Sequence, residues 1–544
     1  MSVSYTFPGI YVQELPSSSH SVSPAPTSVA AFVGYSHPYK TGQFGVAKQL
    51  FSFTDYETYF GGLFSSGVVD ASLPRAVYQF FLNGGSTAWV VGLQSSLWGL
   101  KTGVAPKLLA TLGTGAGDIQ PTLTVPTAGP AGSGIVFSAL EPIDAVQMNV
   151  TLTNFRGSSG PNYPVFDIII TYGAHLETYR GVTLGAGVGT AINGVSALVT
   201  VAAGTGGWGT GYKAPYTAPT WSDVTSSLTG FSTAYSPDDY LPVFQANSSL
   251  DNVEIFNLLM TPGNVDNLVV SAALSFAERK RAFSIVDPPP QAPAFQYPPP
   301  ATTPPQPQPI DNWMTGLTGG TYELPTSQNG ALYFPYLEST DPVTDHNIPM
   351  APCGWVAGAY ADTDASRGVW KAPAGLATSL LNTTGPVSSG VMNDQQQGVL
   401  NHDAINCLRA FSGEGTVVWG ARTLVAANTA YEQWKYVPVR RMALFIEQSL
   451  VGSLKWVVFE PNDEPLWIAI TQEVSAFMLS LFRQGAFQGA QPSDAFQVKC
   501  DATTTTPSDQ ALGVVNIVVA FAPLKPAEFV VIKIAQLAGQ TAGS

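Results

Sequence analysis

Short apolar segments alternate with segments of helical periodicity over much of this chain. Residues 264–281 have apolar positions spaced three and four apart, which is the pattern of a helix with a buried face. Strand-like apolar runs precede and follow it at residues 252–262 and 282–286, and residues 73–82 and 88–93 repeat the helix–strand order. Such alternation favours a largely parallel sheet covered by helices. The sequence therefore predicts an α/β central domain.

Between these two α/β regions the composition changes. Glycine, serine and threonine dominate residues 95–240, and short alternating runs such as residues 165–172 predict an inserted β-rich domain. Beyond residue 425, long helical patterns with a few strands predict a separate α+β domain. The predicted organisation is an N-terminal arm and linker (1–26), the first part of the core (27–94), the inserted outer domain (95–240), the α/β domain (241–424, with a proline-rich loop at 288–309), a C-terminal domain (425–522) and a C-terminal arm (523–544).

Two short segments give predictions that rest on local chemistry. Thr54, with Glu57 three residues further on, is a candidate N-cap for a helix that Gly61 ends. Residues 456–459 (WVVF) are apolar and rich in β-forming side chains, so we expect a strand there.

A β-prone segment set off by prolines lies near each end of the chain. The first lies between Pro8 and Pro16, and the second follows Pro523 and Pro526. A single terminal strand is not stable alone, so each must pair either with a sheet of its own subunit or with that of a neighbouring chain. Both alternatives remain open from the residues. The candidate interface residues are Gly9, Ile10, Tyr11, Val12, Gln13, Glu14 and Leu15 in the N-terminal arm, and Phe529, Val530, Val531, Ile532, Lys533 and Ile534 in the C-terminal arm.

Composition argues against several classes of function. The net charge is −14, and the densest basic cluster, residues 278–281, itself contains an acid, so we expect no nucleic-acid partner. We find no run of 18 apolar residues and no signal-peptide pattern, and we expect no membrane insertion and assembly in the cytoplasm. The low charged fraction, 11%, fits a surface covered in an assembly or an uncharged β surface.

The residues that could carry chemistry are few and scattered. The three cysteines lack CxxC spacing, and the motifs GxSxG, HExxH and GxxxxGK[ST] do not occur. Among the five histidines, His346 and His402 each adjoin an aspartate, a common dipeptide. Four aspartates could suggest a cation site, but solvated turn residues explain them better: Asp341, Asp345, Asp362 and Asp364. We expect no catalytic residue, cofactor or metal.

A series of motifs runs in order along both ends of the chain. They are PGIYVQE (8–14), TSVAAFVG (27–34), LPRAVYQFFLNGGSTAWVV (73–91), RGVWKAPA (367–374), VWGARTL (418–424), Arg440-Arg441, FEPN (459–462) and GAF (485–487). Together they resemble the tail sheath family of contractile phage tails and related injection systems. The resemblance covers about residues 27–93 and 252–537 and leaves the inserted region unmatched.

The resemblance implies a subtilisin-like α/β central domain without a working catalytic triad. It implies that the terminal arms pair with a neighbour's C-terminal domain and join subunits into stacked, six-fold symmetric rings around an inner tube. The C-terminal domain then faces the tube and the insertion faces outward. From a metastable extended state, the sheath contracts and drives the tube through a target envelope, without consuming nucleotide.

The implied partners are other copies of the chain, an inner tube protein, and baseplate and terminal cap proteins, with sheath paralogues as a further candidate. The chain would be a component of a phage tail or phage tail-like particle. Two other classes compete with this interpretation. A subtilisin-like hydrolase needs a Ser–His–Asp constellation, and a static outer-surface β adhesin needs a secretion signal.

Overall fold

The computed structural model falls into two compact units. The smaller unit comprises the described part of Met1–Ala25 together with Met442–Leu524, and the larger unit comprises the described parts of Pro26–Arg441 and Lys525–Ser544. The structure describes residues 21–37, 40–64, 69–96, 122–126, 130–139, 148–156, 165–172, 175–196, 198–209, 235–290, 310, 324–343, 345–529 and 531–532.

Strands and helices are numbered here in chain order. The strands are β1 Ala30–Tyr35, β2 Ala47–Leu50, β3 Ala88–Leu93, β4 Thr122–Pro126, β5 Gly134–Ala139, β6 Met148–Arg156, β7 Val165–Tyr172, β8 His175–Thr183, β9 Val199–Ala203, β10 Leu258–Met260, β11 Phe283–Val286, β12 Gly330–Phe334, β13 Leu337–Thr340, β14 Asn347–Met350, β15 Gly385–Pro386, β16 Ile405–Phe411, β17 Gly415–Trp419, β18 Phe496–Lys499 and β19 Val518–Phe521. The helices are α1 Phe53–Phe60, α2 Ser72–Leu82, α3 Ala186–Ile192, α4 Asn267–Lys280, α5 Cys353–Arg367, α6 Asp394–His402, α7 Val437–Ser453, α8 Glu464–Arg483, α9 Pro492–Ala495 and α10 Pro507–Ala511.

The larger unit is built on a mixed sheet. Among the described residues its strand order is β17-β16-β12-β11-β10-β1-β3-β2. Neighbours from β16 to β3 run parallel, and the edge strands β17 and β2 are antiparallel. Every residue of β1, β11 and β12 is buried, so both faces of these strands are covered. The predicted α/β class with a largely parallel sheet is confirmed at this level.

Helix α1, which lies between β2 and β3 in the chain, begins two residues earlier than its predicted cap requires. Ser52, and not Thr54, caps α1: its Oγ accepts from the backbone N–H of Asp55, and the Asp55 carboxylate accepts from the N–H of Ser52. The two bonds form a capping box. Gly61 ends the helix at φ 82°, as the sequence indicates.

The inserted region has a hydrophobic core of its own. Its sheets have the strand orders β4-β5-β9 and β6-β7-β8 within the residues described, and Phe137, Ile168 and Val199 belong to a separate buried cluster. Buried Asp167 accepts from Asn154 Nδ2 at 2.8 Å and from the Gly181 N–H at 2.6 Å, and it pairs with Arg156. The hydrogen bond from Asn154, followed by that from Gly181, lowers the pKa of Asp167. The boundaries 95–240 stay a prediction.

The smaller unit packs around α8. This helix is the one candidate among the described helices that is long and apolar enough to cross a membrane. Several of its apolar side chains, including Ile470, Val474 and Met478, are buried, which is the arrangement of a core helix. Asp463 caps its N-terminus. Strand β18 pairs antiparallel with β19 beside it.

Candidate assembly interface at the chain ends

The described residues of the C-terminal arm are apolar and exposed. Phe529, Val531 and Ile532 are 76%, 77% and 79% exposed and lie in no strand. In the isolated chain these three residues form no strand, because no sheet edge of the described chain pairs with them, and the pairing of residues 529–534 with a neighbour stays a prediction. Burying one such side chain is worth about 1.5–3 kcal/mol. Adjacent exposed apolar side chains mark a surface that associates with another.

The remaining predicted arm residues lie outside the described part of the chain. They are Gly9, Ile10, Tyr11, Val12, Gln13, Glu14 and Leu15 at the N-terminal end, and Val530, Lys533 and Ile534 at the C-terminal end. Their role stays a prediction.

A charged clamp holds the residue immediately before the exposed segment. Arg422 donates from Nε to Glu528 Oε1 at 2.9 Å and from Nη2 to Oε2 at 2.6 Å, and the Tyr436 hydroxyl donates to Oε2 at 3.2 Å. The side chains of Arg422 and Glu528 are both largely buried. A bidentate arginine–carboxylate pair in this setting fixes geometry as well as position. We call Glu528 the C-terminal root.

Hydrogen bonds to Asn406 and Asn401 hold Arg422 itself in place. Its N–H donates to Asn406 Oδ1 at 2.6 Å, its carbonyl accepts from Asn406 Nδ2 at 2.8 Å, and its Nη1 donates to the Asn401 carbonyl at 2.6 Å. Arg422 lies in the VWGARTL motif, and nothing in that motif indicates that Glu528 is its partner. Burial, and then the nearby Glu528 carboxylate, raises the pKa of Tyr436.

Serines of α7 hold the chain where it leaves the N-terminal arm. The N–H of Ser23 donates to Ser453 Oγ at 3.0 Å, and the N–H of Ala25 donates to Ser449 Oγ at 2.9 Å. Ser449 in turn donates to the Phe445 carbonyl at 2.7 Å, as a serine on a helix commonly does. These contacts lie within the smaller unit. We call residues 23–25 the N-terminal root.

The residues after this root are bonded within the larger unit. Asn257 donates to the Pro26 carbonyl at 2.8 Å and accepts from the Val29 N–H at 2.9 Å. Arg441 Nη2 donates to the Thr27 carbonyl at 2.9 Å. The start of β1 is thus fixed by side chains that are distant in sequence.

Arg441 also forms a buried ion pair with Asp364. The Nη1–Oδ1 and Nη2–Oδ2 distances are 2.8 and 2.6 Å, the side chains are 3% and 1% exposed, and the guanidinium lies over the Tyr360 ring. Burial raises the pKa of Asp364, and the Arg441 charge opposes that rise. The interpretation of Asp364 as a solvated turn residue is wrong, because it lies on α5 with a buried partner.

Asp341 departs from the same interpretation. It is fully buried and pairs with Arg75 at 2.8 Å between Oδ2 and Nη2. Asp345 does lie in an exposed turn, at φ 53°. Within the described residues, no group of three or more His, Cys, Asp or Glu side chains could hold a metal ion. The buried carboxylates of Asp341 and Asp364 each hold an arginine instead.

An apolar surface is also exposed in the smaller unit. The predicted strand at residues 456–459 is wrong: a 3₁₀ helix, Leu454–Val457, includes its first two residues, and Phe459 lies in the turn that follows, at φ 75° and with its side chain fully exposed. Val518 on β19 and Leu512 before it are also exposed. In the part of the chain that the structure describes, β18 and β19 pair with no third strand. Unpaired strand edges of this kind accept added strands.

Cys353 and His402 are both poorly placed for a part in hydrolysis. The Cys353 thiol is fully buried, and burial, followed by the adjacent Asp287 carboxylate, raises its pKa. A raised pKa disfavours the thiolate, which is the nucleophilic form. His402 contacts Asp403 at 2.9 Å, but its side chain is exposed at the end of α6 and the pair is purely local.

Two family models match the chain. The phage tail sheath protein central domain matches residues 234–424, and the phage tail sheath C-terminal domain matches residues 429–536, together more than half of the chain. The chain belongs to the phage tail sheath family. The match to the C-terminal domain includes Glu528 and the exposed residues after it.

Curated relatives of the family align over part of their length. The tail sheath protein of Salmonella phage ViI is 27% identical over 154 residues, which are 28% of this chain and 23% of that protein. A putative prophage major tail sheath protein of Pseudomonas aeruginosa (strain UCBPP-PA14) is 28% identical over 196 residues, 36% of this chain and 48% of that protein. The chain thus spans from about a quarter to about half of these relatives.

Solved sheath structures share the fold over nearly the whole chain. The sheath of an extracellular contractile injection system, the PVC sheath complex in its contracted state, superposes with a TM-score of 0.55 at 20% identity and covers 98% of this chain and 99% of its own. The helical sheath of the anti-feeding prophage in its contracted state gives 0.55 at 21%, with the same coverage. A chain of that particle's baseplate gives 0.54 at 22%, also with the same coverage.

Proposed function

We propose that this chain is a structural sheath subunit of a contractile injection machine, which polymerises around an inner tube through its terminal arms. The observation that carries the proposal is the C-terminal arm: exposed Phe529, Val531 and Ile532 follow directly on a buried Arg422–Glu528 clamp. A segment that is fixed at its base and apolar beyond it is suited to pairing with a neighbour. Membership of the sheath family supports the same interpretation.

Assembly proceeds by strand addition in this proposal. Each arm adds to the β18–β19 sheet in the C-terminal domain of a neighbouring subunit. An added strand of five or six residues forms about as many backbone hydrogen bonds, worth about 1 kcal/mol each. Two arms per subunit then connect stacked, six-fold symmetric rings.

Contraction follows from the same connectivity. Subunits rotate and move outward from a metastable extended state while their arms stay paired, and the shortening sheath drives the tube through a target envelope. The subtilisin-like α/β domain has no working triad, the C-terminal domain faces the tube and the inserted domain faces outward. Energy comes from assembly and not from nucleotide hydrolysis.

The partners in this proposal are further copies of the chain, an inner tube protein, and baseplate and terminal cap proteins, with sheath paralogues as a further candidate. Assembly takes place in the cytoplasm, and the product is a phage tail or phage tail-like particle. The solved sheaths that share the fold come from particles of this kind.

Deletion of residues 1–16 tests the role of the arms. We expect a subunit with the circular dichroism and thermal unfolding of the full chain that no longer forms tubes by negative-stain electron microscopy. A matched control lacks only residues 2–7 and keeps the β-prone residues 9–15, and it should form tubes. Normal tubes from the longer deletion would contradict the arm-pairing proposal.

A further inference from the structure

The two arm roots are bonded to different units of the same subunit. The N-terminal root is held by Ser449 and Ser453, in the part of α7 that belongs to the smaller unit. The C-terminal root, Glu528, is held by Arg422 of the larger unit. The N-terminal root is therefore bonded to the smaller unit, and the C-terminal root is bonded to the larger unit.

The attachment of the C-terminal root is unexpected from the chain order. Strand β19 belongs to the smaller unit, and Phe487 of that unit still pairs with Pro523. Five residues later, Glu528 belongs to the larger unit and its carboxylate is fixed by three side-chain donors on Arg422 and Tyr436. Sequence position alone would assign the C-terminal arm to the C-terminal domain that it follows.

We infer that each unit presents one arm: the smaller unit the N-terminal arm, and the larger unit the C-terminal arm. Arg422 and Glu528 are positioning residues for the C-terminal arm, and Ser449 and Ser453 are positioning residues for the N-terminal arm. The inference rests on the proposed function, in which arms join subunits. A change in the relation between the two units would then change the relation between the neighbours that the arms hold.

Site-directed spin labelling of the full chain, before assembly, tests this assignment. The native thiols of Cys353, Cys407 and Cys500 are buried, so a cysteine introduced at an exposed position is labelled selectively. Ser23→Cys reports on the N-terminal root, Ala527→Cys reports on the C-terminal root, and Val531→Cys provides the reference for an unrestrained label. We expect restricted motion at 23 and 527 and free motion at 531.

Two variants should release the roots independently. Glu528→Gln removes the ion pair, and the label at 527 should become as free as the label at 531 while the label at 23 does not change. The double variant Ser449→Ala/Ser453→Ala removes both hydroxyl acceptors, and it should free the label at 23 alone. Glu414→Gln, at an exposed turn of the larger unit, is the matched control and should change neither label.

The outcomes separate this inference from the proposed function. The inference would be overturned if one variant released both labels, or if a variant failed to release the label at its own root. If Glu528→Gln unfolds, Glu528→Asp shortens the same contact and should release the label at 527 without unfolding the chain. Because label motion is measured without assembly, independent release in a chain that never forms tubes would support the inference and refute the proposed function.

Discussion

Strand β11 and the C-terminal arm have nearly the same composition and opposite surroundings. Strand β11 reads FSIV, is buried along its whole length and pairs with β10 and β12. The arm reads FVVI over residues 529–532, and the three of these residues that the structure describes are exposed. Intrinsic β propensity does not distinguish the two segments. What differs is whether the subunit itself supplies a strand edge, and we infer that a neighbour supplies it for the arm.

The largest expected effect is on assembly and comes from the arm. Val531→Pro should abolish tube formation in negative-stain electron microscopy, because proline cannot donate a ladder hydrogen bond. The thermal unfolding of the subunit should not change, since Val531 is exposed. Lys533→Glu alters charge and leaves the backbone intact, so it should do less harm. Equal assembly by the Val531→Pro chain would show that the arm is not a paired strand.

The next prediction compares how much the first residue of β11 and the first residue of the arm contribute to the stability of the subunit. Phe283→Ala on β11 should lower the free energy of unfolding by about 3–5 kcal/mol. Phe529→Ala in the arm should change it by no more than about 0.5 kcal/mol. Urea titration of the unassembled subunits measures both. A large loss from Phe529→Ala would mean that the arm is folded onto its own subunit.

The third effect compares a buried ion pair, whose arginine also binds the Thr27 carbonyl, with an exposed one. Asp364→Asn leaves the Arg441 charge buried without its partner and should cost about 3–5 kcal/mol of unfolding free energy. Asp394→Asn breaks the pair with Arg409, where the aspartate side chain is 91% exposed, and should cost about 0–1 kcal/mol. Similar costs for the two variants would remove any special role for the buried pair.

The smallest effect concerns Asp287, the residue that follows β11. Burial raises the pKa of Asp287 from 3.8 to about 6. Because the folded-state pKa lies above the unfolded value, the contribution of the protonated form to stability is complete below about pH 4 and is lost as the pH rises through 6. The shift from 3.8 to about 6, at 1.36 kcal/mol per pKa unit, makes this loss of unfolding free energy about 3 kcal/mol.

An Asp287→Asn variant isolates this contribution. It lacks the titrating group, so its unfolding free energy relative to the native chain should improve between pH 4 and pH 7. Urea titrations of both chains at the two pH values measure the difference. A difference that does not vary with pH would show that Asp287 does not titrate in this range.

Local patterns predicted much of the fold. The runs at residues 88–93 and 165–172 coincide with β3 and β7, because their apolar patterns and flanking turn residues both mark the ends. The N-cap of α1 was harder to predict, because two residue pairs have the capping-box spacing. These pairs are Ser52 with Asp55, and Thr54 with Glu57. Residues 456–459 are apolar enough for a strand, yet Phe459 is exposed, and local composition cannot show this.

The candidate interface was predictable in position and not in its attachment. Prolines and β-prone residues located the arms, because these signals are local. Arg422 and Glu528 are 106 residues apart, and Ser23 and Ser453 are 430 apart, so no spacing in the sequence indicates either contact. A short segment of sequence carries no information about which distant side chain it will contact in the fold.

The most direct test of the central claim is negative-stain electron microscopy of the purified full chain beside a chain that lacks residues 529–544. We predict striated tubes, in long and short forms, from the full chain alone. The truncated chain should stay unassembled with the same thermal unfolding as the full chain. Tubes from the truncated chain, or a full chain that stays monomeric at every concentration, would contradict the account.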